Sequence, residues 1–93
     1  MHVVVCYDVT ENRRRNRLLK FLKGYIRHVQ KSVFEGEIDE KKYEPMRAGI
    51  ASIVDRSIDT VRIYQLCGRC IPAMDIVGTG VVIEDDEDEN IIF

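Results

Sequence analysis

The chain lacks any stretch that could cross a membrane. Its longest uninterrupted apolar run is Val3-Val4-Val5-Cys6-Tyr7, whereas a helical span takes about 20 apolar residues. The start, Met1-His2-Val3, has no basic segment followed by an apolar one, so no secretory signal is expected. Three cysteines, an odd number, do not make a disulfide framework. The expectation is a cytoplasmic chain with reduced thiols and no membrane partner. Internal repeats and linkers are missing too. Aromatic residues are few, and no motif for stacking bases or entering a major groove is present, so direct base reading is excluded. Acidic residues are missing in one particular place: none occurs between Asn12 and Phe34.

What is there fits one small domain. Ninety-three residues with 45% apolar content exclude disorder for most of the chain. A domain of this size buries a modest fraction of its surface, and a second copy would supply further burial. The net charge of −2 hides an asymmetry. Residues 1–34 carry eight Lys or Arg against Asp8 and Glu11, a balance of +6. Residues 35–93 carry six bases against fourteen acids, a balance of −8, including the unbroken run Glu84-Asp85-Asp86-Glu87-Asp88-Glu89. The acidic run reads as a solvated tail, 84–93, behind a domain spanning 1–83.

His2 to Tyr7 is β-branched and apolar and stops at Asp8, which predicts a buried central strand. Thr10 or Asn12 can cap the following helix, with Glu11 near its positive end. In that helix Leu18, Leu22 and Tyr25 recur at helical spacing, and Gly24 is the stop signal. Ile26 to Ile38 reads as a long strand with a bulge or bend near Ser32. Asp39 can cap a second helix, whose Tyr43, Met46, Ile50 and Ile53 repeat at three and four. Pro45 either kinks it or marks its first turn. Asp59 to Leu66 alternates cleanly, with Val61 and Ile63 on one face and Arg62 and Tyr64 on the other. Ile76-Val77 and Val81-Val82-Ile83 read as short strands. The order β-α-β-β-α-β plus one short C-terminal strand predicts an α+β, ferredoxin-like sandwich with both helices on one sheet face. The other face then lacks a cover, and a homodimer provides one.

Three groups of residues can carry chemistry. Asp8 closes a buried strand beside a helix N-terminus. It either caps the turn or supplies a hard oxygen ligand to Mg²⁺, for which two carboxylates across a dimer axis would serve better than one. Arg13, Arg14, Arg15, Arg17, Lys20 and Lys31, with Lys23, Arg27 and His28 nearby, form a patch without acids that suits phosphate backbones. The alternative is a solvated helix face. Cys67-Gly68-Arg69-Cys70 is a CxxC in a late loop. It lacks the position of a redox motif and the further ligands of a zinc site, so ordinary thiols are expected. Both histidines read as surface residues.

Several segments together resemble one family. Val3-Val4-Val5-Cys6-Tyr7-Asp8-Val9, Arg13-Arg14-Arg15, Lys20-Phe21-Leu22-Lys23-Gly24-Tyr25, Val29-Gln30-Lys31-Ser32-Val33-Phe34-Glu35-Gly36, Ile63-Tyr64-Gln65-Leu66-Cys67 and Ile76-Val77-Gly78 are similar, in order and spacing, to CRISPR-associated protein 2. That resemblance implies a ferredoxin-like homodimer with Mg²⁺-dependent endoribonuclease activity. It also implies a complex in which the dimer bridges copies of the CRISPR-associated integrase along duplex DNA during spacer acquisition, part of antiviral defence. By the match, Asp8 is the metal-binding and catalytic carboxylate, one from each subunit. Arg13, Arg14 or Arg15 would hold phosphate, and Ser32 and Phe34 would line the cleft. RNA and duplex DNA are both candidate substrates. A non-catalytic DNA-binding scaffold is the alternative function, and a module for a small regulatory ligand is disfavoured by the basic first half.

Overall fold

The computed structural model describes residues 1–69 and residue 77. Strand β1 (His2–Asp8) leads to helix α1 (Asn12–Lys23), strands β2 (Arg27–Gln30) and β3 (Val33–Glu37), helix α2 (Glu40–Ile53) and strand β4 (Thr60–Leu66). The strands form one sheet in the order β2-β3-β1-β4, with every pair antiparallel. This is the α+β, ferredoxin-like arrangement expected from the sequence. The expected strands at 76–77 and 81–83, Cys70 and the 84–93 tail lie outside the described residues.

β1 is central and reads both ways. Val3, Val5 and Tyr7 are buried, while His2, Val4 and Cys6 between them are half-exposed and Asp8 is exposed. The period of two sends alternate side chains to opposite faces. Val3, Val5, Tyr7 and Phe34 form the core with Leu18, Leu19 and Leu22 of α1 and Met46 and Ile50 of α2. Both helices therefore cover the same face. Burying each of these aliphatic side chains contributes about 1.5–3 kcal/mol. None of the described elements covers the other face, which carries His2, Val4, Cys6 and Asp8 beside Leu66, Tyr64, Arg62 and Thr60 of β4.

The segment expected as one long strand is instead a hairpin. β2 and β3 pair through Arg27↔Glu35, His28↔Phe34 and Gln30↔Val33, with a register shift between His28 and Gln30 and a turn at Lys31-Ser32. The disrupted alternation was the trace of a reversal, and the bulge falls beside it at Val29. The cap of α1 also differs from expectation: neither Thr10 nor Asn12 serves. Glu11 is the N-cap, and its carboxylate accepts the Arg14 N–H at 3.0 Å. Gly24 ends the helix in the right-handed region, its N–H on Phe21 O at 3.1 Å. Asp39 caps α2, accepting from the Lys41 N–H at 2.9 Å. Pro45 lies inside α2 rather than in its first turn, where it gives up the bond an N–H would make to the preceding turn.

The helices meet closely where Gly49 faces Phe21. A Cβ at Gly49 would stand 2.1 Å from Phe21 Cζ. The ring must then swing away, and overpacking of this kind costs about 1–3 kcal/mol. That exceeds the gain of about 1 kcal/mol from replacing a helical glycine by alanine. Gly49→Ala should therefore lower urea stability by about 1 kcal/mol, and Phe21→Leu in the same chain should recover part of the loss. A more stable Gly49→Ala protein would show that the contact is not tight.

Candidate functional site

A cavity of about 300 Å³ opens at the end of β1, lined by Tyr7, Asp8, Val9, Arg15, Lys31 and Ser32. Of the site residues expected from the sequence, Asp8, Arg15, Lys31 and Ser32 thus meet in one place. They arrive from three places: the end of β1, the first turn of α1 and the hairpin turn. Asp8 is exposed because β1 ends there and its parity aims it at the open face. Lys31 and Ser32 arrive on the hairpin turn. That turn is held down by Tyr7, whose N–H donates to Ser32 O and whose hydroxyl donates to Lys31 O, both at 3.1 Å. His28 Nε2 donates to the same Lys31 carbonyl at 3.2 Å.

His28 is not the surface residue expected. It is buried and stacked on Phe34, with ring centroids 4.5 Å apart and planes 10° from parallel. Phe34, expected along the cleft, is fully buried and does not line this cavity; it supports Tyr7 and His28 from below. The reason is register. Phe34 opposes Val5, so it shares the core-facing parity of β1.

The three adjacent arginines part company because each is turned about 100° from the last. Arg13 is exposed. Arg15 folds back over the β1–α1 loop, donating to Val9 O at 2.8 Å, to Thr10 O at 3.2 Å and to the Asn12 side chain. Arg14 turns away from the cavity to Asp59, with Nε on Oδ2 at 2.8 Å and Nη2 on Oδ1 at 3.3 Å. Arg13, Arg17 and Lys20 lie at helical spacing on the outer side of α1, and Arg17 and Lys20 are exposed like Arg13. The basic residues therefore form two groups, one in the cavity and one stripe on the far side of α1.

Two features of this region were not expected from the sequence. Asp59 is covered, and its carboxylate takes Arg14 and the Asp55 N–H at 2.8 Å. These bonds, Arg14 first, hold it below the usual carboxylate range. Its only sequence signal was an isolated acid just before a clean strand. A larger cavity of about 460 Å³ lies between α2 and β4, with Tyr43, Arg47, Ile50 and Val61 among its lining residues. Its one carboxylate, Asp59, is already engaged, so the Asp8 cavity is the better place for chemistry on a ligand. Among the described residues, no group of three or more His, Cys, Asp or Glu converges as a metal centre, and no helix is long and apolar enough to cross a membrane. Cys67 is exposed, and Cys6 sits on the open sheet face.

A four-stranded antiparallel sheet with two helices on one face, and a carboxylate framed by Arg and Lys at the end of its central strand, defines a small ferredoxin-like α+β protein with a mixed-charge cavity. The particular family is known as well. The family model of CRISPR associated protein Cas2 matches residues 1–74, and the chain belongs to that family. The CRISPR-associated endoribonuclease Cas2 of Thermococcus kodakarensis is 39% identical over 92 residues, covering 99% of this chain and 100% of that protein. The protein of the same name from Pyrococcus furiosus is also 39% identical over 92 residues, with the same coverage. The crystal structure of Streptococcus pyogenes Cas2 at pH 6.5 superposes with a TM-score of 0.74 at 26% identity, covering 84% of this chain and 100% of that one.

The open face carries its own titrating group at the end away from Asp8. His2 donates through Nε2 to Glu35 at 2.9 Å and through Nδ1 to Glu37 at 3.1 Å. Two ring N–H donors require the imidazolium, and these bonds, that to Glu35 first, raise the His2 pKa above its ordinary value. A raised pKa stabilises the fold below about pH 6.5, and that contribution is lost as pH rises through the folded value. In paired denaturation curves, wild type should lose stability relative to His2→Gln as pH rises from 6 to 8. Parallel pH profiles for the two proteins would remove His2 from the account.

Proposed function

We propose that the chain is a metal-dependent endonuclease subunit of CRISPR spacer acquisition, working as a homodimer joined through its open sheet face and cutting phosphodiester bonds at Asp8. One observation carries the reading. The exposed Asp8 carboxylate stands in a cavity whose other polar side chains are Arg15, Lys31, Ser32 and the hydroxyl-bearing Tyr7, a set that suits a phosphate beside a hard cation. The relatives' name, CRISPR-associated endoribonuclease, agrees with it and favours RNA as substrate.

The donor set fits Mg²⁺ in part. Mg²⁺ keeps several waters and is held by one or two carboxylates plus substrate phosphate, and Asp8 supplies one oxygen donor per chain. Its parity on β1 puts it on the open face with His2, Val4 and Cys6, so a dimer formed through that face would bring a second Asp8 close. When bound, the cation would polarise the phosphodiester and offset charge that develops on it. The protein's own residues do the rest. Arg15 and Lys31 hold the phosphate, Ser32 orients one of its oxygens, and Tyr7 keeps the turn bearing Lys31 and Ser32 at a fixed distance from Asp8.

A scaffold role alongside the CRISPR-associated integrase is the second reading. The observation that favours it is the stripe Arg13, Arg17 and Lys20, which stands outside the Asp8 cavity. A stripe of this kind binds duplex phosphates without reading bases. Replacing all three by Ala should weaken duplex binding at every sequence and flatten the salt dependence by a slope of about 2 to 3. Unchanged affinity over the whole salt range would put the duplex elsewhere.

Asp8→Asn keeps the shape of the side chain and removes the charge a hard cation needs. RNA cutting with Mg²⁺ should fall at least ~100-fold, the equivalent of about 3 kcal/mol of lost stabilisation. Light scattering should still give twice the chain mass, and duplex affinity should hold. Persistent cutting by the variant would assign the activity to another site or to a contaminant. A folded wild-type monomer would overturn the shared-face arrangement.

A further inference from the structure

We infer that Asp59 is a positioning residue for the Asp8 site: its covered carboxylate fixes the first turn of α1 through Arg14, and with it the placement of Arg15 relative to Asp8. The inference rests on the function proposed above for Asp8 but concerns residues outside the cavity chemistry. Three donors from two places meet at Asp59. Arg14 of α1 binds it side-on through Nε at 2.8 Å and Nη2 at 3.3 Å. The Asp55 N–H of the α2–β4 turn donates to Oδ2 at 2.8 Å. The Asp59 side chain has no solvent-exposed surface, and that of Arg14 is 22% exposed.

The consequence runs along the loop. Asp59 immediately precedes Thr60, which is the register partner of Asp8. Arg15, next to Arg14 in the first turn of α1, donates to the Val9 and Thr10 carbonyls of the β1–α1 loop. One carboxylate thus holds that turn from beneath while Arg15 clasps the loop from the cavity side. Arg14 fastens the same carboxylate to α1, which fixes where the helix begins. A bidentate ion pair in a covered site holds geometry far better than an exposed one, and displacements of about 1 Å at a reacting centre cost up to ~100-fold in rate.

The test uses the full chain with Asp59→Asn, Arg14→Lys and, as a control, Glu44→Gln, which removes an exposed pairing with Arg47 on α2. The amide of Asn must turn one donor toward Arg14 or Asp55, both of which donate. Lysine at position 14 keeps the charge but loses the side-on pair, so it should behave between wild type and Asp59→Asn and serves if the latter does not fold. Residue-resolved hydrogen exchange should speed up ~10-fold or more at Thr10 to Asn12 while Val3 and Val5 stay within ~3-fold of wild type. With Mg²⁺, kcat for RNA cutting should fall ~10- to 100-fold with KM within ~2-fold, the signature of lost positioning rather than lost binding. Glu44→Gln should match wild type in both readouts. Uniformly faster exchange across the sheet would make Asp59 a general stabiliser and overturn the inference. A loosened loop with unchanged kcat would overturn it too. A wild-type chain that cuts nothing would instead count against the function proposed for Asp8. The loop exchange would then still decide whether Asp59 fixes Arg15.

Discussion

Successive residues of β1 point to opposite faces of the sheet, and a slip of one position would exchange the whole set. Tyr7 would leave the core, where it holds the hairpin turn, and Asp8 would enter it without a partner for its charge. Nothing in β1 itself forbids that slip, since Val3, Val4 and Val5 are alike. The register is fixed from both sides instead. Phe34 pairs with Val5 on β3, and Ile63 pairs with the same residue on β4. Burial of Phe34 and the leucines of α1 on one face thus decides which of the β1 residues face the open side. The position of the Asp8 carboxylate is a by-product of hydrophobic packing several residues away.

The same separation appears in the charges. Eight bases in the first 34 residues look like a single patch on paper. In the fold, Arg14 is engaged by Asp59, while Arg15 lines the Asp8 cavity with its Nη1 on carbonyls of the loop before α1, so adjacent arginines serve unlike purposes. Two fasten α1 and its entry loop, and Arg13 joins the stripe on the outer side of the helix. Covered ion pairs are costly to break because the abandoned charge stays desolvated. Arg14 is therefore constrained by the fold in a way Arg13 is not.

Periodic segments were legible in the sequence. β1, α1, α2 and β4 follow from their spacing of apolar residues, and the ferredoxin-like order follows from their succession. The hairpin was hidden because its turn, Lys31-Ser32, lacks Gly, Pro, Asn or Asp and is held by the Tyr7 hydroxyl and the His28 ring rather than by its own conformation. His28 looked like a surface residue for the same reason: its burial depends on stacking with Phe34 across the hairpin. Convergence of Asp8, Arg15, Lys31 and Ser32 was legible only through resemblance, since no local pattern joins position 8 to position 32. Asp59 showed only as an isolated acid before a strand, because its partner Arg14 lies more than forty residues away in sequence.

The geometry also bears on how binding and cutting would be divided. α1 covers the core-facing side of the sheet and turns Arg13, Arg17 and Lys20 outward, whereas Asp8 has the parity of the opposite, open side. In a dimer joined through the open faces, the two stripes would lie on the outer flanks and the two carboxylates near the middle. A straight duplex resting on one flank would then leave its phosphates away from Asp8. A flexible single strand can enter the cavity from its edge, where Arg15 and Lys31 stand beside the carboxylate. The two proposed roles therefore need not compete for one surface. On that proposal duplex binding would fall to the helix side and strand cutting to the end of β1, and a chain that had lost either would keep the residues for the other.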